Sequence, residues 1–268
     1  MSTPEGQAAG KVRVVVEGSI GWVILDNPAR KNAVSFSMWA ALGEAVEQLS
    51  RDGNVRCIVL RGEGVEAFCA GGDISEFEKK RSERDANIEY RRVANDTLGR
   101  LQSVGKPTVA MISGFCMGGG VALAISCDLR IGAKGSRYGI PAARLGMGYD
   151  YAGIKRLSSL IGISRAKRMI FTASRLSAEE ARQAGLIDEL VDQELLEGTA
   201  RKMAETIAAN APLTISAAKF AADLTSKQAS EAEIEEANRM TLSCFDSSDY
   251  VEGRRAFMEK RRPVFSGK

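Results

Sequence analysis

Residues 67–74 read AFCAGGDI, and residues 117–120 read MGGG. Each run is a glycine-dense turn between a stretch of β-forming residues and a stretch with helical character. Because glycine carries no Cβ, the backbone at such turns can approach a ligand closely. The second turn also brings the N-terminal, positive end of a helix dipole to that ligand. We therefore interpret the two turns as the source of two backbone N–H donors for one oxyanion.

The composition is that of one globular domain with little excess charge. With 268 residues, of which 44% are hydrophobic, the chain can bury a single large core. Its formal net charge is +3, and its basic clusters alternate with acids along stretches of helical character. Such alternation is typical of a solvated helix face. Nucleic acid is therefore not an expected partner.

The chain contains no histidine. This absence excludes Ser-His-Asp and Cys-His catalytic arrangements and the H-E-x-x-H zinc signature. We predict no metal site. Any proton transfer must use a carboxylate, tyrosine, lysine, cysteine or water.

The cysteines and the N-terminus predict a cytoplasmic protein. Five cysteines, an odd number, lie singly in apolar stretches without C-x-x-C spacing, which predicts buried thiols in a reducing compartment. Residues 1–10 have neither an apolar core nor a positively charged lead, so we expect a disordered tail rather than a signal or transit peptide. No apolar run approaches the about 20 residues that span a bilayer, so no membrane contact is expected.

Strand and helix signals alternate to about residue 190, after which only helices are predicted. The β-branched stretch from Lys11 to Asp26 predicts a hairpin, and Ser35 is placed to cap the following amphipathic helix. Short apolar runs separated by helical segments predict largely parallel strands. The predicted strands are Cys57–Leu60, Thr108–Ile112 and Leu129–Gly132, and the last predicted helices are Glu194–Ala208, Leu213–Leu224, Ala229–Phe245 and Asp249–Lys260.

Three further motifs occur before and after the two glycine turns. They read NPARKNA at residues 27–33, CDLR at residues 127–130, and LSAEEA at residues 176–181 followed by GLI at residues 185–187. In order and spacing the whole set resembles the crotonase (enoyl-CoA hydratase/isomerase) superfamily, from Val12 to Pro263. In that family's pattern, the N–H groups of Gly72 and Gly119 polarise a thioester carbonyl and hold the enolate that forms from it.

The resemblance also implies a fold and an assembly. The fold class is α/β, a crotonase (ClpP-like) spiral of ββα units over residues 11–195. Residues 196–268 are then a helical C-terminal region that builds trimers and covers the active site, and trimers pair into hexamers. From the residues alone, this region shows only amphipathic helices.

Coenzyme A is expected as part of the substrate, and no other cofactor is required. By resemblance, the residues near coenzyme A are Arg30, Lys31, Ala70, Phe257 and, from a neighbouring subunit, Lys260. The exposed bases would equally serve solubility, and Phe257 would equally suit a helix core.

Two glutamates that hydratases of this superfamily use are replaced here. One should follow the glycine trio by two positions and the other should follow a proline about twenty residues later, but Ala122 and Ala142 stand at these positions. A methyl group cannot exchange a proton. Hydration by the usual two-carboxylate mechanism is therefore not expected.

The next candidate acid lies in the run LGMGYDYAG, residues 145–153. Asp150 stands where some dienoyl-CoA isomerases carry their working aspartate and 4-chlorobenzoyl-CoA dehalogenase its nucleophile, and Tyr149 resembles the tyrosine of methylmalonyl-CoA decarboxylase. Desolvation in an apolar pocket would make the Asp150 carboxylate a stronger base. Alternatively, Asp150 only caps a helix beginning near Ala152, with Tyr149 packed beneath it. For Asp73, a helix cap is the preferred interpretation.

The leading hypothesis is an acyl-CoA enzyme that stabilises an enolate and shifts a double bond through Asp150. Hydration by a substitute carboxylate (Glu76, Glu78 or Asp150), decarboxylation of a malonyl-type thioester oriented by Tyr149, and thioester hydrolysis remain alternatives. A hypothesis of another class is an inert acyl-CoA-binding scaffold, including an RNA-binding side role. A dinucleotide enzyme is excluded because the glycine runs do not spell G-x-G-x-x-G.

Overall fold

Two β-sheets organise the chain in a computed structural model that describes residues 10–73 and 84–268. The large sheet has the order β1-β2-β3-β5-β7-β10, and the small sheet has the order β4-β6-β8-β9. The strands are β1 (Lys11–Glu17), β2 (Ile20–Asp26), β3 (Cys57–Gly62), β4 (Ala67–Cys69), β5 (Thr108–Ile112), β6 (Phe115–Met117), β7 (Leu129–Ala133), β8 (Arg137–Gly139), β9 (Arg175–Ser177) and β10 (Glu189–Val191).

The helices of the described chain follow these strands and dominate its C-terminal part. They are α1 (Phe36–Arg51), α2 (Arg84–Ser103), α3 (Gly119–Ser126), α4 (Tyr151–Ile161), α5 (Ile163–Thr172), α6 (Ala178–Ala184), α7 (Leu196–Ala208), α8 (Pro212–Thr225), α9 (Glu231–Phe245) and α10 (Ser248–Met258). The predicted cap of α1 is confirmed, since the Ser35 side chain accepts from the Met38 N–H. The four predicted C-terminal helices are present with bounds shifted by a few residues.

The large sheet carries apolar residues on both of its faces. The hairpin β1–β2 is antiparallel, and β2, β3, β5, β7 and β10 pair in parallel, as the sequence predicted. Alternate residues of β2 belong to two core clusters: Val23 and Leu25 pack with α1, whereas Trp22 and Ile24 pack with the α7 side chains. Burial on both faces explains why these strands read as continuous apolar runs.

The small sheet places the two glycine turns side by side. Strands β4 and β6 pair in parallel, with Cys69 opposite Cys116. Carboxyl ends of neighbouring parallel strands lie at the same edge of a sheet. The turn after β4 and the turn after β6 therefore leave the sheet together. The pairing of these three-residue strands was not predicted from the sequence.

The C-terminal region packs in two ways. Helix α7 covers one face of the large sheet with Leu196, Ala200 and Ala204. Helix α8 packs against α9, and its Lys219 forms an ion pair with Asp128, which precedes β7. None of the described helices is long and apolar enough to cross a membrane. The tail expected at residues 1–10 lies outside the described residues except for its last residue.

Candidate active site

The turn after β4 is held by a short parallel pairing with Val34. The Val34 N–H donates to the Gly71 carbonyl oxygen at 2.8 Å, and the Asp73 N–H donates to the Val34 carbonyl oxygen at 3.1 Å. In a parallel ladder the residue between two such bonds directs its own N–H to the opposite side. The Gly72 N–H therefore points away from Val34.

The opposite side of Gly72 is occupied by the start of helix α3. A Cβ built on Gly119, the first residue of α3, would lie 3.6 Å from the Gly72 nitrogen. A Cβ built on Gly71 would lie 3.7 Å from the Gly119 nitrogen. Within residues 10–73 and 84–268, neither the Gly72 nor the Gly119 amide donates a hydrogen bond. Two N–H groups on facing turns are thus available for one acceptor.

Glycine is required where these turns touch. A Cβ on Gly120 would lie 2.3 Å from the Cys69 carbonyl oxygen, which is far inside van der Waals contact. Gly71 and Gly118 have φ angles of 110° and 51°, in the region that side chains disfavour. Glycine is therefore needed in these turns for two reasons: positive φ angles at Gly71 and Gly118, and the close approach of Gly120 to the Cys69 carbonyl oxygen.

The motif at residues 27–33 forms hydrogen bonds with the strand and turn around residues 63–70. Asn32, at a φ of 56°, donates from Nδ2 to the Ala67 carbonyl oxygen at 2.7 Å and to the Glu63 carbonyl oxygen at 2.9 Å. Asparagine tolerates this left-handed conformation better than most residues. The Ala70 N–H donates to the Lys31 carbonyl oxygen at 2.9 Å. The turn is therefore fixed by backbone and amide contacts before any ligand binds.

Two predicted coenzyme A contacts already have protein partners. Arg30 Nη1 lies 2.5 Å from Asp73 Oδ2, and Asp73 is only 6% exposed. The Lys31 ammonium lies over the Phe115 ring, 4.6 Å from its centroid. The helix that Asp73 was expected to cap would lie at residues 74–83, outside the described residues. Contact of Arg30, Lys31 and Ala70 with coenzyme A stays a prediction.

Phe257 and Lys260 lie at the C-terminal end of α10, both on the surface. Phe257 is 82% exposed and lines an apolar cavity of about 670 Å³ between α8, α9 and α10. Gly72, Gly119 and Asp150 do not line this cavity. Contact of Phe257 and Lys260 with coenzyme A at a neighbouring subunit's site stays a prediction.

The segment from Pro141 to Asp150 starts beside the glycine trio. The Gly118 N–H donates to the Gly139 carbonyl oxygen at 2.8 Å, and a Cβ on Gly118 would lie 3.9 Å from Pro141 Cδ. Ala142 is buried in the 3-10 turn Pro141–Leu145 that follows. The segment therefore leads from the second turn to the start of α4.

Asp150 is the N-cap of α4. Its Oδ1 accepts the Gly153 N–H at 2.7 Å, and the residue is half-buried. The helix begins at Tyr151, one residue earlier than expected, and the cap that the alternative interpretation predicted is confirmed. Among the described residues, Oδ2 has no hydrogen-bond or ion-pair partner. Capping thus occupies one carboxylate oxygen and leaves the other without a partner among the described residues.

Tyr149 packs beneath the first turn of α4, as the alternative interpretation expected. A Cβ on Gly153 would lie 2.8 Å from Tyr149 Cε1, so glycine is needed for the ring to fit. The Tyr149 hydroxyl is buried and has no hydrogen-bond partner in the described part of the chain. Burial raises the pKa of the Tyr149 phenol, and the charge of Asp150 raises it further. The hydroxyl therefore remains a neutral donor at physiological pH.

The buried thiols contribute no base. Burial raises the pKa of Cys57, Cys69 and Cys127 to about 12, and that of Cys116 is raised well above its ordinary value for the same reason. A thiol in this state carries almost no thiolate near neutral pH. Together with the absence of histidine, this leaves a carboxylate as the best candidate for proton transfer at the site.

Trp39, Tyr90 and Arg91 were not predicted as residues near the site. A Cβ on Gly119 would lie 3.4 Å from Trp39 Cζ2, so the indole contacts the second turn. Arg91 Nη1 would lie 3.9 Å from a Cβ on Gly148, which puts a positive charge beside the loop before Asp150. Trp39 could have been noticed in the sequence, because a tryptophan buried on a helix usually needs a hydrogen-bond partner for its indole N–H.

Sequence similarity to known proteins identifies the family of this chain. Residues 16–268 match the family described as enoyl-CoA hydratase/isomerase. A short-chain-enoyl-CoA hydratase of Clostridium acetobutylicum is 32% identical over 92% of this chain and 94% of its own length. The 1,2-epoxyphenylacetyl-CoA isomerase of Escherichia coli is 30% identical over 94% of this chain and 97% of its own length.

Solved structures of related proteins have the same fold as this chain. The crystal structure of an enoyl-CoA hydratase from Bacillus anthracis is 29% identical and superposes with a TM-score of 0.91, covering 96% of this chain and 99% of that one. This similarity confirms the predicted crotonase fold. The match over nearly the whole chain shows that the protein belongs to the enoyl-CoA hydratase/isomerase family of the crotonase superfamily.

Proposed function

We propose that the protein is an isomerase of acyl-CoA thioesters that shifts a double bond by proton transfer through Asp150. The observation that carries the proposal is a pair of N–H groups on facing turns, at Gly72 and Gly119, which have no acceptor among the described residues. A half-buried carboxylate, Asp150, lies at the end of the adjoining segment. In such sites one oxyanion donor contributes about 3 kcal/mol to lowering the barrier.

The reaction needs only proton movement. Asp150 Oδ2 takes a proton from the carbon next to the thioester of a 3-enoyl group, and the C–H electron pair moves into an enolate. The enolate oxygen accepts from the Gly72 and Gly119 N–H groups. Asp150 then returns the proton to the γ carbon, and the double bond forms next to the thioester. No metal or redox cofactor takes part, and coenzyme A is the carrier of the acyl group.

The residues available at this site favour isomerisation over hydration. Hydration by two carboxylates requires a pair, but Ala122 and Ala142 stand where the resemblance expects that pair. Asp150 is a single carboxylate, which is sufficient to move one proton between two carbons. Many relatives are named hydratases, so hydration by a substitute carboxylate is the first rival. Glu76 and Glu78, the other carboxylates considered for it, lie outside the described residues.

Decarboxylation of a malonyl-type thioester is the second candidate, and Tyr149 is the observation that favours it. A buried hydroxyl without a partner is rare and often awaits a ligand. That hydroxyl could donate to a substrate carboxylate, which leaves as carbon dioxide while the bond electrons form the enolate. Hydrolysis of the thioester, and an inert acyl-CoA-binding or RNA-binding scaffold, remain as further alternatives.

Product analysis in deuterium oxide tests the proposal. The native protein and Asp150→Ala are incubated with a panel of 2-enoyl, 3-enoyl and malonyl-type CoA thioesters, and products are resolved by mass. We expect solvent deuterium in the acyl chain with a shifted double bond, lost in the variant. A gain of water, a loss of carbon dioxide or a release of coenzyme A would each establish a rival instead. Thioester binding without any turnover would establish the scaffold.

The assembly and location belong to the same proposal. We infer a homotrimer, or a hexamer of two trimers, in which α8, α9 and α10 cover a neighbouring site. Large apolar side chains on these helices, including Leu242 and Met258, are 64% and 80% exposed, which supports burial against another subunit. The five unpaired thiols support a cytoplasmic location.

A further inference from the structure

Trp39 and Tyr90 link helix α2 to the first glycine turn through a chain of hydrogen bonds. The Trp39 indole Nε1 donates to Tyr90 Oη at 2.7 Å, and this hydroxyl donates to the Val34 carbonyl oxygen at 3.4 Å. Because Oη accepts from the indole, its own hydrogen is directed away from Trp39 and toward Val34. Trp39 is 2% exposed, so its N–H depends on this partner.

Val34 is the residue that orients the Gly72 N–H. Its own N–H and carbonyl oxygen bond the backbone on both sides of Gly72, at Gly71 and Asp73. A movement of the Val34 carbonyl is therefore passed to the Gly72 amide. The same chain reaches the second turn, because the Trp39 ring lies 3.4 Å from the position that a Gly119 Cβ would take.

We propose that Tyr90, held by Trp39, is a positioning residue that sets the separation of the Gly72 and Gly119 donors for the thioester oxygen. This inference rests on the proposed use of these amides as an oxyanion hole. Donors of that kind act only when they lie about 2.7–3.1 Å from the oxygen in its charged state. A misplacement of about 1 Å can lower the rate about 100-fold. Tyr90 does not contact the reacting atoms in this scheme.

Tyr90→Phe tests the proposal, because it removes the hydroxyl and keeps the ring. The probe is cinnamoyl-CoA, a conjugated thioester whose absorption moves to longer wavelength when its carbonyl oxygen accepts hydrogen bonds. We expect a red shift on binding to the native protein and a shift at most half as large in the variant. With the substrate that turns over, we expect kcat to fall about 10- to 100-fold and KM to change less than about threefold.

Thr97→Val is the matched control. The Thr97 hydroxyl donates to the Trp39 carbonyl oxygen at 2.8 Å, so it joins the same two helices without being part of the chain to Val34. This variant should lower the melting temperature and keep both the native red shift and the native kcat. An equal loss of red shift in both variants would show that general helix packing is responsible, and would overturn the proposal.

The outcomes separate this inference from the proposed function. A native red shift that persists in full in Tyr90→Phe, with native kcat, overturns the role of Tyr90 and leaves the oxyanion hole intact. Absence of binding or of any shift in the native protein overturns the oxyanion hole itself, and with it both proposals. A reduced shift in Tyr90→Phe supports the inference even when the product analysis favours a rival reaction.

Discussion

Replacing Asp150 by asparagine separates the two roles open to its carboxylate. As a cap, Oδ1 accepts the Gly153 N–H at 2.7 Å, and an asparagine oxygen can do the same. As a base, the group must take up a proton, which a neutral amide does not do near neutral pH. Because aspartate and asparagine are about equal as N-caps, Asp150→Asn should keep the stability of the protein and lose its turnover.

The magnitudes follow from the half-buried cap. Asp150→Ala removes the cap and should cost about 1 kcal/mol of unfolding free energy. For domains of roughly 150–250 residues, 1 kcal/mol lowers Tm by about 2–4 °C. Asp150→Asn and Asp150→Ser, which retain a capping oxygen, should shift Tm by less than about 2 °C. All three should lower kcat by about 10²- to 10⁴-fold, which is the range for loss of a general acid or base.

Two assays are needed, both at one fixed protein concentration. In thermal unfolding, Asp150→Asn and Asp150→Ser should have Tm values close to that of the native protein. Asp150→Ala should have a lower Tm than these three proteins. Steady-state kinetics on the thioester that turns over should rank the native protein far above all three variants. The KM values should stay within about threefold, since the amide donors are untouched.

One pattern would refute this reasoning directly. If Asp150→Asn and Asp150→Ser kept near-native kcat while Asp150→Ala lost activity in step with its Tm, the carboxylate would serve only as a cap. The proton acceptor would then have to be another group.

Three other predictions concern packing. Gly120→Ala places a methyl group 2.3 Å from the Cys69 carbonyl oxygen, so it should lower the free energy of unfolding by about 1–3 kcal/mol and displace the two glycine turns. The variant should show a lower Tm and no turnover, and native values of both would contradict the contact. Gly153→Ala places a methyl group 2.8 Å from the Tyr149 ring, so it should lower Tm in the native background and not in Tyr149→Ala; equal losses in both would contradict the contact. Cys244 is half-exposed and the other four thiols are buried, so iodoacetamide at pH 8 should label only Cys244 in the folded protein. Mass spectrometry counts the labels, and rapid labelling of a second thiol before unfolding would contradict the burial of the other four.

Local signals account for the parts of the fold that were predicted. The β-branched hairpin, the Ser35 cap and the C-terminal helices depend on residues a few positions apart, so their patterns are visible in the chain itself. The cap at Asp150 is of the same kind, because its partner is three residues away. Strands β4 and β6 were missed because a three-residue strand has no measurable periodicity and exists only through its pairing.

The candidate site shows the same division. The glycine turns, the lack of histidine and the alanines at residues 122 and 142 are visible without coordinates. The partner of Arg30, the burial of the Tyr149 hydroxyl and the link from Trp39 through Tyr90 join residues that are distant along the chain. No periodicity or spacing rule relates such residues, so only the folded arrangement reveals them.

By itself, the sequence limited the chemical groups that the protein can use. It supplies turns whose backbone can approach a ligand, because glycine lacks a Cβ, and it leaves carboxylates as the main proton carriers in a chain without histidine. The tertiary structure alone decided that Gly72 and Gly119 face each other and that one oxygen of Asp150 is left without a partner among the described residues. These facts depend on strand pairing and side-chain packing between segments far apart in the chain, and therefore on the free energy of the whole fold rather than on any local preference.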